Sequence, residues 1–170
     1  GRGESFMRTD GEAPFPLAIV IADDHAMVRA GLQRILEGEP GLRVVGQASD
    51  GLSTLRMLYE CACDLALVDL TMPAPNGPEL IARIRADWPN LPVLVVSMHT
   101  NLRVVLAALA AGANGFIGKD SDPESLLSAV RQVAAGERFV EPRIAEAIRM
   151  TGVKSTSPEV LSPREMQVLR

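Results

Sequence analysis

Five polar residues stand directly behind, or at the end of, short apolar runs, and their types suit phosphoryl chemistry. Asp23 and Asp24 follow Leu17–Ala22, Asp69 follows Asp64–Val68, Ser97 follows Pro92–Val96, and Lys119 closes Asn114–Gly118. Singly, each has an ordinary reading: an Asp pair suits a solvated turn, and a lysine suits any surface. Together they are three carboxylates, a hydroxyl and an ammonium. Clustered acids need a counter-charge, and Mg²⁺ supplies it through hard oxygen ligands and retained waters. Asp23, Asp24 and Asp69 would hold such an ion, helped by the backbone carbonyl of Thr71. With its charge offset, the carboxylate of Asp69 can attack a phosphoryl donor to give an acyl phosphate. Lys119 would then pair with a phosphoryl oxygen, and Ser97 would offer its hydroxyl to another.

That chemistry requires the runs to be strands ending on one edge. The five runs, with Leu42–Ala48 as the second, are four to seven residues long and rich in Val, Ile and Leu. Such runs suit strands buried on both faces of a parallel sheet. Helix-period stripes lie between them: Val28, Leu32, Ile35 and Leu36; Leu52, Leu55 and Leu58; Leu80, Ile81 and Ile84; Leu102, Val105, Leu106 and Leu109; Leu126, Leu127, Val130 and Val133. Five strand-then-helix units over about residues 16–136 predict a doubly wound α/β domain. Ligands of such sheets bind beyond the carboxyl ends of the strands. Local punctuation agrees: Asp122-Pro123 opens a helix, Gly112 and Gly136 close two, and Trp88-Pro89 stops a third. A shorter sixth helix is expected over Pro142–Met150, as an extension spanning 137–150.

The segments Ile19–His25 (IVIADDH), Leu67–Pro73 (LVDLTMP), Val95–His99 (VVSMH) and Gly112–Asp120 (GANGFIGKD) resemble the signature segments of response-regulator receiver domains. With the tail Ser162–Arg170 (SPREMQVLR), the chain is similar to the NarL/FixJ subfamily, whose members carry a LuxR-type helix-turn-helix after the receiver. The resemblance implies a flavodoxin-like five-stranded sheet of order 2-1-3-4-5. It implies that Asp69 is the phosphoacceptor, that Asp23 and Asp24 bind Mg²⁺, and that Lys119 is the family's lysine. It also makes Ser97 and Phe116 a switch pair. The function so implied is that of a two-component phosphorelay response regulator, phosphorylated by a sensor histidine kinase, dimeric when active, cytoplasmic, and regulating transcription. Such a receiver catalyses its own phosphoryl transfer and hydrolysis without being a conventional enzyme. Two departures stand out: the loop after Asp69 carries an additional proline, Pro75, and Gly118 sits where a bulkier apolar residue is common.

Rival readings are weaker at specific positions. A haloacid-dehalogenase-like phosphatase needs an acid two residues after its nucleophile, where this chain has Thr71. A flavin module of flavodoxin type wants a hydroxyl- and glycine-rich loop after the first strand, where two acids stand. Glycine-rich nucleotide motifs are absent. A stand-alone receiver acting by protein–protein contact is opposed by the capped start of a helix at Ser162-Pro163-Arg164-Glu165. His25 and His99 read as neighbours of strand ends rather than metal ligands. Cys61 and Cys63 read as structural thiols, with no second pair to complete a zinc site.

Composition bounds the rest. Apolar residues make up 47% and charged residues 22%, which predicts a folded chain, and the net charge of −4 argues against a polyanion-gripping surface. No apolar run approaches the ~18 residues of a membrane span. Residues 1–15 read as a tag and tail outside the fold, and Thr151–Leu161 (TGVKSTSPEVL) reads as a linker. Residues 162–170 then read as the first turns of a truncated DNA-binding domain, so operator DNA would be reached only through that domain.

Overall fold

The computed structural model describes residues 16–151. The expected tag, the linker beyond Thr151 and the capped helix start at Ser162 lie outside the described residues. The elements run β1 (Leu17–Ala22), α1 (Ala26–Glu37), β2 (Leu42–Ala48), α2 (Gly51–Glu60), β3 (Leu65–Val68), α3 (Gly77–Asp87), β4 (Val93–Ser97), α4 (Leu102–Ala111), β5 (Gly115–Gly118), α5 (Pro123–Ala134), β6 (Phe139–Val140) and α6 (Pro142–Met150). All strand pairings are parallel, in the order β2-β1-β3-β4-β5-β6.

The expectation of five strands is corrected to six. Phe139–Val140 pairs with Gly115 and Phe116 at the edge of the sheet. Two residues carry no readable alternation, and their pairing rests on partners more than twenty positions earlier.

Alternation along each strand divides the core. Ile19, Ile21, Leu65, Leu67, Leu94, Val96 and Ile117 face α1 and α5, packing with Leu36, Leu126, Val130 and Val133. On the other face Val20, Ala66, Val68 and Val93 meet Leu55, Leu58, Leu80 and Ile84 of α2 and α3. Val95 and Phe116 pack there too, against Val105, Ala108 and Leu109 of α4 and Ile144 and Ile148 of α6. Burying both faces leaves polar groups only one dry-walled place to gather, the carboxyl edge.

Helix ends follow side-chain chemistry. The Asp122 carboxylate accepts the Ser125 N–H at 2.8 Å, with Pro123 opening the first turn of α5, and Asn101 caps α4 through the Val104 N–H at 3.1 Å. Asp50 and Ser53 form a reciprocal capping box on α2. Gly112 and Gly136 take positive φ just past α4 and α5, as their positions suggest. Gly51, the first residue of α2, is a close approach: a Cβ there would lie 1.9 Å from the Pro75 carbonyl oxygen. The loop after Asp69 therefore rests directly on the start of α2, where the Gly51 N–H donates to the Pro73 carbonyl at 2.9 Å.

Candidate functional site

The topology that buries the strands also sets their carboxyl ends side by side. The Asp69 N–H donates to the Ala22 carbonyl at 2.9 Å, and the Lys119 N–H donates to the Ser97 carbonyl at 2.9 Å. Asp23, Asp69, Ser97 and Lys119 thus leave neighbouring strands β1, β3, β4 and β5 at one level. Asp23 and Asp69 are only 1% and 2% exposed, and Ser97 is fully buried. Such burial is unusual for carboxylates without partners.

Their partner is Lys119. Its long stem spans the ends of the two intervening strands, bringing Nζ to 2.7 Å from Asp23 Oδ2 and 3.5 Å from Asp69 Oδ1. The Thr71 hydroxyl donates to Asp69 Oδ2 at 3.1 Å. Asp69 Oδ1 is buried and accepts no hydrogen bond. The Asp23 backbone carbonyl accepts from Arg29 Nη1 at 2.7 Å, which holds the turn after β1 against α1.

Asp24, the second acid of the pair, lies at the rim with its side chain partly in solvent. Between the two acids stands His25, whose Nδ1 is 2.9 Å from Asp24 Oδ1 and 3.3 Å from Asp23 Oδ1, while its backbone N–H donates to Asp23 Oδ1 at 2.8 Å. Sequence reasoning read His25 as the neighbour of a strand end, at the start of a helix, rather than as a ligand. It does occupy the N-cap of α1, yet its side chain does not cap the helix and turns to the acids instead. No spacing signal reports that choice of rotamer. Asp23, Asp24 and His25 offer ligand atoms within 4.8 Å of one another.

Ser97 ends β4, and its Oγ accepts the His99 N–H at 3.0 Å. A cavity of about 290 Å³ lies beside it, lined by Leu70, Thr71, Pro78, Ser97, Arg103 and Val104 between α3 and α4. Phe116, in the middle of β5, is fully enclosed in the α4–α6 cluster. Every residue expected at the site is therefore near the carboxyl edge except the Phe116 ring, which is packed beneath it. His99 N–H is the only group of that histidine seen engaging the site.

The residues present fit a divalent cation. Two buried carboxylates share one ammonium, a third stands at the rim beside His25, and one buried carboxylate oxygen lacks a hydrogen bond. Hard oxygen donors in that number suit Mg²⁺ or Mn²⁺. Asp23 and Asp24 lie in the group of potential ligand atoms that would hold it.

Comparison with known proteins agrees with this geometry. The model of the response regulator receiver domain family matches residues 19–131. The response regulator UvrY of Escherichia coli K12 is 33% identical over 155 residues, covering 89% of this chain and 71% of its own length. The crystal structure of a LuxR-family two-component response regulator from Aurantimonas sp. SI85-9A1 superposes with a TM-score of 0.78 at 36% identity, covering 82% of this chain and 99% of its own. RcsB of Salmonella enterica serovar Typhimurium, solved bound to promoter P1flhDC with the phosphomimetic BeF3−, gives a TM-score of 0.72 at 28% identity, over 79% of this chain and 69% of its own.

Proposed function

Because the chain belongs to the two-component response-regulator receiver family, we propose that it accepts a phosphoryl group on Asp69, from a sensor histidine kinase or a small phosphodonor. The carboxylate of Asp69 attacks phosphorus. The bond from phosphorus to the donor's oxygen or nitrogen breaks, the leaving group keeps its electron pair, and an acyl phosphate remains. When bound, Mg²⁺ supplies the positive charge that lets carboxylates and phosphoryl oxygens crowd together. The observation that carries the reading is Asp69 Oδ1, buried without a hydrogen bond and 3.5 Å from Lys119 Nζ.

Each neighbour then has a task. Asp23 and Asp24 hold the cation, with the Thr71 backbone carbonyl as a further oxygen. Lys119 shifts from Asp23 toward a phosphoryl oxygen, a charge-assisted contact that the Asp23 pair holds in readiness. Ser97 turns its hydroxyl to another oxygen. Since Phe116 is already enclosed, its part in the switch is repacking within the core beside α4. The face formed by α4, β5 and α5 then adopts a second arrangement, as added phosphoryl charge commonly drives.

The output follows from the relatives. RcsB was captured on promoter DNA, which supports reading residues 16–136 as a receiver that governs a DNA-binding domain beginning near Ser162, through an extension over 137–150 and a linker over 151–161. In that reading two phosphorylated chains pair on DNA, and the chain acts in the cytoplasm as a phosphoacceptor that catalyses its own phosphoryl transfer from the donor and its hydrolysis, rather than as a conventional enzyme. Among the described residues no helix is long and apolar enough to cross a membrane.

The test is intact mass after incubation with acetyl phosphate and Mg²⁺. Wild type should gain one phosphoryl group, Asp69→Ala none, and chelation of the metal should prevent the gain. Equal labelling of Asp69→Ala would place the reaction on another residue.

A further inference from the structure

The residues on both sides of Lys119 are tied to the start of α6. β5 borders β6, but β6 ends at Val140 before the chain turns into α6 at Pro142. The Gly118 N–H therefore has no strand carbonyl to meet. It donates instead to Glu141 Oε1 at 2.9 Å. On the same residue, the Glu141 N–H donates to the Phe116 carbonyl at 3.3 Å. Glu141 occupies the N-cap of α6, yet its carboxylate does not cap the helix; it is committed to Gly118. The residue after Lys119 is held as well. Arg143 Nη2 donates to Asp120 Oδ1 at 2.8 Å, and Arg143 Nε donates to Glu141 Oε2 at 3.2 Å.

The glycine at 118, one of the two departures in the sequence, has a place in this arrangement. A Cβ there would come within 2.7 Å of Asp120 Oδ1, 3.0 Å of Arg143 Nη2 and 3.2 Å of Thr100 Cγ2. A bulkier residue would displace the Arg143–Asp120 pair, so glycine leaves the space in which α6 reaches across β5. On the opposite edge, the Lys119 N–H is held by the Ser97 carbonyl of β4. The backbone that carries the ammonium is thus fixed from β4 on one side and from α6 on the other.

We propose that Glu141, supported by Arg143, is a positioning residue for Lys119: the start of α6 clamps the Gly118–Asp120 backbone so that Nζ reaches Asp23 and Asp69. The inference rests on the reading of Lys119 as the phosphoryl-pairing cation. Glu141 carries most of the effect, because its side chain is only 13% exposed and its bond is charge-assisted. The Arg143–Asp120 pair, 53% and 68% exposed, is screened by water and contributes less. The clamp also gives α6 a physical link to the phosphorylation state. Ile144 and Ile148 of α6 pack in the Phe116 cluster, so one helix and its N-cap reach both the cluster of the enclosed aromatic ring and the two residues that flank the lysine.

A positioning role is separated from a merely structural one by a double-mutant cycle on the full chain. The rate of Asp69 labelling by acetyl phosphate is measured for wild type, Glu141→Ala, Glu141→Gln, Arg143→Ala and Lys119→Ala, and for each of the first three substitutions in the Lys119→Ala background, with thermal midpoints alongside. Glu141→Ala should slow labelling about fivefold. Glu141→Gln, which keeps an oxygen for the Gly118 N–H, should return to within about twofold of wild type. Arg143→Ala should cost about twofold. None of the three should slow labelling further once Lys119 is alanine, because the clamp acts only through that ammonium. Equal slowing in both backgrounds, or a normal rate in Glu141→Ala, would overturn the clamp while leaving Asp69 labelling intact. If Glu141→Ala does not fold, Arg143→Ala and Glu141→Gln make the same comparison. Absence of labelling in wild type removes the phosphoacceptor reading and the clamp with it.

Discussion

Replacing Lys119 with methionine should destabilise the metal-free protein far more than an ordinary surface substitution, and Mg²⁺ should reverse much of the loss. Methionine keeps a long unbranched stem and removes only the ammonium. In wild type that ammonium is 2.7 Å from Asp23 and 3.5 Å from Asp69, with all three side chains at least nine-tenths buried. Two unit charges 4 Å apart attract by about 4 kcal/mol at an effective dielectric near 20. Desolvation of the lysine offsets part of that attraction. What remains in the variant is worse than a lost pair, because two carboxylates stay buried without a cation. Breaking buried pairs in this way costs about 3–5 kcal/mol, and the lower end applies here because Asp24 opens one side to water. Against a typical total of about 5–15 kcal/mol, a loss of about 3 kcal/mol is readily measured. A divalent ion at a hundred times its Kd returns about 2.7 kcal/mol to the state that binds it. The assay is urea denaturation of wild type and variant with and without saturating Mg²⁺. Mg²⁺ should raise the variant's midpoint more than that of wild type, where metal and lysine compete for the same carboxylates. A variant as stable as wild type without metal, or an equal gain in both proteins, would refute this account of the pocket.

Two further substitutions or treatments probe its surroundings. Gly51→Ala would place a methyl against the Pro75 backbone, so the loop carrying Thr71 must shift; stability should fall by about 1–3 kcal/mol and Asp69 labelling should slow. An unchanged urea midpoint and labelling rate would show that the loop yields freely. Burial pushes the Cys63 thiol up to about 11, so the fold favours the neutral form and the thiolate is scarce near pH 8. Alkylation of Cys63 in the native protein, followed by peptide mapping, should be roughly a hundredfold slower at pH 8 than for a free thiol and should climb steeply as pH rises past 10. The same shift means that any stability gained from the protonated thiol is present below pH 9 and disappears as pH rises through about 11. Rapid labelling at pH 8 would contradict the burial.

The gathering of the polar residues at one sheet edge was legible because it depends on local signals. An apolar run announces its own end, so Asp23, Asp69 and Lys119 could be assigned to strand ends before any pairing was known, and parallel order then brought them together. Ser97 was placed one residue beyond its strand and proves to be the strand's last residue, a shift that leaves it on the same edge. The missed features depend on distant partners or on rotamers. β6 is strand only because β5 lies beside it. The Glu141 carboxylate reaches Gly118 across 23 positions. Arg85 gathers the carbonyls of Trp88, Leu91 and Gly112 and the side chain of Asn114, tying the turns before β4 and β5, yet in the sequence it is one more polar residue on a helix. The Asp50–Ser53 capping box has the reciprocal pattern but serine in place of the usual Glu or Gln.

Phosphorylation of Asp69 would replace its single negative charge with a phosphoryl group carrying nearly two, in a pocket already short of positive charge, and the molecule offers few ways to respond. The ring of Phe116 is fully buried, packed in a cluster with residues of α4, α6 and the sheet. Interiors so packed change by discrete rearrangement rather than by gradual strain. Space exists instead beside Ser97, where the 290 Å³ cavity is lined by the start of α3 and by Arg103 and Val104 of α4. A pull on the Ser97 hydroxyl would loosen its bond to the His99 N–H, and His99 lies in the short connection that leads into α4. A pull on Lys119 acts on the same strand, because its N–H is bonded to the Ser97 carbonyl. Both responses therefore meet at the end of β4, and the element with room to move there is α4. The central strands are buried on both faces, whereas α4, packed on α3 and α6, also borders a cavity. On the proposed reading, charge added at one strand end would be converted into movement of a helix that is itself uncharged along its buried face.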